Sequence, residues 1–135
     1  MLLLLKLPEY YNLLTHYEAM AIRVGQSGLL ASFKAAMGWC EWSFGDYDQA
    51  IPTLTQAVEL CEAVENFERA GQAYVHLQWS RLHTGDCERV LSLKEDVLRM
   101  MEHKFNVRWY VYALSAAAIA YTWLGCWDKA VDEGQ

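Results

Sequence analysis

The sequence predicts an all-α protein, an α-α superhelical solenoid of antiparallel helix hairpins, and three observations lead there. A glycine-led string recurs as Gly45-Asp46-Tyr47-Asp48-Gln49-Ala50, Gly85-Asp86-Cys87-Glu88-Arg89-Val90 and Gly125-Cys126-Trp127-Asp128-Lys129-Ala130, so three glycines stand 40 residues apart, twice. Between these strings the apolar residues run at helical spacing, as in Leu30, Phe33, Met37 and Trp39, or Ala50, Ile51, Leu54, Ala57, Val58 and Cys61. The chain of 135 residues, 54% apolar, has the size of one domain and enough apolar side chains for a substantial core.

Taken in order, the pattern places a helix at about 8–24, the second of an incomplete repeat. Helix pairs follow at about 28–44 with 48–64 and at about 67–84 with 88–103, then a helix at about 107–124 and the start of another. The single domain therefore divides into a partial repeat 1–25, repeats 26–65 and 66–105, and a partial repeat 106–135, read as a stretch of a longer array. Leu2–Leu5 align with the last turn of a first helix.

Gly45, Gly85 and Gly125 each stand where one helix stops and the chain must turn, a position that favours left-handed backbone and hence glycine. Asp46 and Asp86 follow as N-caps, whose carboxylates accept from free amides of the next helix for about 1 kcal/mol each. Cys126 breaks that pattern. Ala50, Val90 and Ala130, five residues after each glycine, mark a close crossing of paired helices that small side chains permit. Pro52 removes one backbone donor just inside its helix, so a bend or an irregular first turn is expected there.

The turn string of glycine, acid, aromatic, acid, any residue and alanine resembles the tetratricopeptide repeat, carried best by Gly45, Tyr47 and Ala50. The likeness spans essentially the whole chain. The period is 40 rather than the usual 34, and the glycine and tyrosine of that family's first helix are matched once each, by Gly38 and Tyr121. The lengthened repeat, with Trp39 and Trp79 at equivalent positions, is similar to arrays in bacterial signalling ATPases and adenylate cyclases. That resemblance implies a sensor or docking segment, with nucleotide chemistry in other domains.

The formal net charge of −6 argues against attraction to nucleic acid or an anionic membrane, because no basic stripe is visible. The apolar start at Met1 is interrupted by Lys6 and stopped by Pro8, too short for an export signal or a spanning helix, which places the protein in the cytoplasm. Cys40, Cys61, Cys87 and Cys126 show no short paired spacing and read as reduced thiols. There is no phosphate loop, zinc-helix motif or calcium loop, and His76, His83 and Cys87 lack the spaced companions of a metal site. Glu59, Glu62 and Glu65 read as a solvated face. The expectation is a chain without catalytic residues, metal or cofactor.

Six Trp and eight Tyr are the informative excess. Aligned on the period, one face carries Ser32, Ala35, Trp39 and Trp42, then Gln72, Val75, His76, Trp79 and His83, then Tyr112, Ser115, Ile119 and Trp123. Such a face suits a peptide-binding groove, and the same aromatics equally suit packing between hairpins. The expected binding residues are Trp39, Trp42, Gln72, His76, Trp79, His83, Tyr112 and Trp123, with a protein or peptide as partner; the alternative is a small-molecule sensor array. Both ends should expose apolar surface, which predicts a homodimer through uncapped ends.

Overall fold

The computed structural model describes residues 6–103 and 106–134, so the expectation for Leu2–Leu5 lies outside the described residues. These residues form α1 (Leu7–Val24), α2 (Ser27–Ser43), α3 (Tyr47–Ala63), α4 (Phe67–His83), α5 (Cys87–His103), α6 (Val107–Trp123) and α7 (Trp127–Gly134), with no strand among them. Each helix packs on its neighbours in sequence, and α2 also meets α4 as α4 meets α6. The protein is an all-α helical repeat solenoid in which α2, α4 and α6 form one layer.

The structure refines the period. Each helix from α2 to α6 is 17 residues long and begins 20 residues after the one before it, so the 40-residue repeat holds two equal halves. Turns of one geometry enforce this spacing. At Gly25, Gly45, Glu65, Gly85 and Gly125 the backbone is left-handed, with φ between 57° and 82°. The N–H of each of these residues bonds the carbonyl three back, and the following N–H reaches the carbonyl five back, at 2.8–3.3 Å. Asp46, Asn66, Asp86 and Asn106 then cap the next helix by accepting from Gln49, Arg69, Arg89 and Arg108 amides at 3.0–3.3 Å. Cys126 has no carboxylate, yet its N–H closes the same turn on Tyr121.

Glu65 is the one non-glycine left-handed residue among those described, and at its position there was no glycine to align. Its Cβ crowds the following carbonyl where glycine would not. Glu65→Gly is expected to stabilise the fold by about 0.5–1 kcal/mol, read as a higher urea midpoint at unchanged slope. An unchanged midpoint would mean the turn carries no such strain.

Alanines fill the crossings. Ala31, Ala50, Ala57, Ala70, Ala113 and Ala117 are fully buried, and Val90 is as well. Among the glycines the tightest approach is at Gly38, where an added Cβ would sit 2.5 Å from the Cδ2 atom of fully buried Leu54. Gly38 thus lets α2 lie on α3. Pro52 is exposed and the helix runs on through it from Tyr47 to Ala63, so the lost donor does not interrupt α3.

Two buried polar side chains tie layers together. Gln78 Nε2 donates to the Val90 and Ala113 carbonyls at 3.1 and 3.2 Å, joining α4 to α5 and α6. Glu41, on α2, accepts from the Tyr11 hydroxyl of α1 at 2.7 Å and is almost fully enclosed. Burial pushes the Glu41 carboxyl above its usual range and, with Glu41 beside it, lifts the Tyr11 hydroxyl to about 12. An ion pair of Lys34 with Glu18 at 2.6 Å adds a second link between α1 and α2.

Candidate functional site

The layer of α2, α4 and α6 is where the aromatic side chains converge. Trp39 and Trp42 stand three apart on α2, so both leave the helix on one side. On α4, Gln72, Val75, His76 and Trp79 follow the same rule over two turns. From the first turns of α6 come Arg108, Trp109 and Tyr112. Together these side chains line a cavity of about 510 Å³.

Its walls are held by specific contacts. Trp79 Nε1 donates to the Tyr112 carbonyl at 3.2 Å, which fixes α4 against α6. The imidazole of His76 lies 5.0 Å from the Trp42 ring and meets Trp109 edge-on at 6.0 Å. Arg108 places its guanidinium 5.9 Å from the Trp109 ring, a cation–π distance that keeps the charge at the mouth. Gln72 Oε1 accepts from the Arg69 guanidinium at 3.3 Å.

The cavity's electrostatics depart from those of the chain. The protein carries 17 acidic residues against 11 basic ones, yet no acid lines this cavity and one arginine does. His76 is buried, and desolvation lowers its pKa to about 4, so the imidazole is neutral at pH 7. Trp42 Nε1, Trp109 Nε1 and His76 Nδ1 are enclosed without a hydrogen-bond partner among the described residues. Such groups cost free energy until an acceptor or donor reaches them.

The chain matches no protein-family model and no curated protein. What the site can do is therefore read from its side chains. Six of the eight expected residues, Trp39, Trp42, Gln72, His76, Trp79 and Tyr112, line this one cavity. His83 does not; it stacks on Tyr47 at 4.4 Å, the rings nearly parallel, at the far end of α4. Trp123 is exposed and lines a separate depression with Leu124 and the turn from Gly85 to Glu88.

The reason is height along the helix. Alignment on the period fixes which side of a helix a residue occupies but not its level against the next helix. The cavity draws on the last turns of α2, the middle of α4 and the first turns of α6, so it crosses the layer obliquely. Trp123 lies 11 residues beyond Tyr112, roughly 16 Å along the axis. The same obliquity brought in Arg108 and Trp109, which period alignment missed. Trp109 was accessible by another signal, since it precedes Tyr112 by three residues and shares its face.

Trp39 also borders a second depression, about 470 Å³, beside Lys6, Leu7, Glu9, Tyr10 and Leu13 of α1. The turn residues Gly45, Asp46, Gly85, Asp86 and Gly125 serve the frame. Among the described residues no group of three or more His, Cys, Asp or Glu is placed to hold a metal, and His76, His83 and Cys87 do not form one. No helix described is long and apolar enough to cross a membrane. The four cysteines are unpaired, with Cys40 and Cys61 pushed up to about 11 by burial.

Proposed function

We propose that the chain is a docking module of the tetratricopeptide-like kind, acting in the cytoplasm, whose aromatic cavity takes a segment of a protein or peptide partner. The observation that carries this reading is an indole-rich cavity bearing one arginine and no acid in an otherwise acidic chain. Rigid indoles supply large contact area at low entropic cost, and Arg108 selects the sign of the neighbouring charge. The segment that fits carries an apolar or aromatic side chain next to an acidic one. A second reading, a small-molecule sensor, is favoured by the cavity's size, which falls within the range of metabolite pockets.

A displayed random-peptide library panned on the protein tests the first reading. Peptides pairing an aromatic with an acidic residue are expected to be enriched. Trp109→Ala and Arg108→Glu should each weaken a selected peptide at least about tenfold, Arg108→Glu with a flatter salt dependence. Enrichment of basic peptides, or binding indifferent to both substitutions, would overturn the assignment.

A further inference from the structure

We infer that a second copy of the chain docks on α1, antiparallel to it, across a two-fold axis between His16 and Tyr17. Two apolar stripes run along this helix. Leu7, Leu14 and Ala21 are buried and hold it to α2, the one helix α1 packs against among those described. Tyr10, Leu13, Tyr17, Met20 and Val24 form the other, spaced by three, four, three and four residues, and each is between 42% and 67% exposed. That alternation is the seam pattern of one helix packing on another. It extends for about 21 Å at 1.5 Å per residue.

The stripe is complementary to itself. A two-fold axis between His16 and Tyr17 sets Leu13 beside the partner's Met20 and Tyr10 within one residue of the partner's Val24, so a bulky residue meets a smaller or more flexible one on either side of the axis, where the two Tyr17 rings meet. Along the outer edge lie Glu9, His16 and Arg23, spaced by seven. Antiparallel pairing brings Glu9 next to the partner's Arg23, and does so twice. A parallel pair would set each of these charges level with its own copy and repel. Neither Glu9 nor Arg23 makes an ion pair among the described residues, so both are available for this contact. An isologous contact of this kind closes on itself and yields a dimer, not a fibre. The depression bordered by Tyr10, Leu13 and Trp39 adjoins the stripe and receives partner side chains. Because Trp39 also lines the aromatic cavity, the dimer sets two cavities near each other, which favours a partner carrying two copies of the docking segment.

Sedimentation velocity across a dilution series tests the interface on the full chain. The wild-type protein is expected to be dimeric and to dissociate on dilution. Leu13→Glu with Met20→Glu should be monomeric with an unchanged circular-dichroism spectrum, since both side chains are about half exposed. Glu9→Arg and Arg23→Glu should each weaken the dimer about tenfold, and the double swap should return it to near wild-type strength. Three results would each overturn the inference: a wild-type monomer at every concentration, a dimer that survives Leu13→Glu with Met20→Glu, or a double swap no better than either single change.

Discussion

Acidification from pH 6.5 to about 4 is expected to remove about 3 kcal/mol of stability through His76 alone. The imidazole sits between Trp42 on α2 and Trp109 on α6, buried where water cannot solvate a positive charge. Its pKa is depressed in the folded chain, from 6.5 to about 4, so the folded state holds it neutral. The stability this contributes is fully present above 6.5, drains away as pH falls towards 4, and changes no further below both values.

Glu41 works in the other direction. Its carboxyl is raised by burial, so the strain of holding it charged is greatest at neutral pH and is relieved as acid protonates it. The two groups partly offset each other, and the clean observable is a difference between variants. Urea unfolding at pH 7 and pH 4.5 should show His76→Phe, which keeps a ring between the two indoles, losing less stability than the wild type over that interval. Equal losses would mean that the acid-labile point lies elsewhere. Since the folded chain keeps the His76 imidazole neutral down to about pH 4, ligand binding should hold steady between pH 6.5 and about 5 while stability falls.

The fold was legible because its punctuation is chemical. Glycine followed by Asp announces a left-handed turn and a capped helix, and Gly45-Asp46 and Gly85-Asp86 carried that message in residues that can be aligned. Between them, Glu65-Asn66 makes the same capped left-handed turn without a glycine, Asn106 caps α6, and Gly25 is followed by Gln26 rather than Asp, so a 20-residue rhythm read as one of 40. Angular position on each helix was equally legible, and it put Trp39, Trp42, His76, Trp79 and Tyr112 on one side. Height was not. Which level of α6 faces which level of α4 depends on the stagger between helices, set by contacts distant in sequence such as Gln78 with Val90 and Ala113. Gln78 itself reads as a surface residue until those carbonyls are placed around it.

Gly38 shows how the frame and the site depend on one atom. A Cβ there would lie 2.5 and 2.6 Å from Leu54 Cδ2 and Cγ, and Leu54 has no exposed surface into which to retreat. Gly38→Ala gains up to about 1 kcal/mol in helix propensity but forces an overpacked crossing that costs about 1–3 kcal/mol, so a net loss is expected. Leu54→Ala removes the largest side chain at this crossing and should cost about 2–5 kcal/mol. In the double variant the methyl added in place of the Gly38 hydrogen occupies part of the space Leu54 leaves, so the combined loss should fall short of the separate losses by at least about 1 kcal/mol. Chemical denaturation of all four proteins measures this coupling, and simple additivity would show that α2 and α3 do not meet at this pair. The effect should also reach the cavity, because Trp39 is the next residue after Gly38 and Trp42 follows one turn on. Pushing α2 off α3 shifts both indoles against His76, so Gly38→Ala should weaken docking while Gly38→Ala with Leu54→Ala restores much of it.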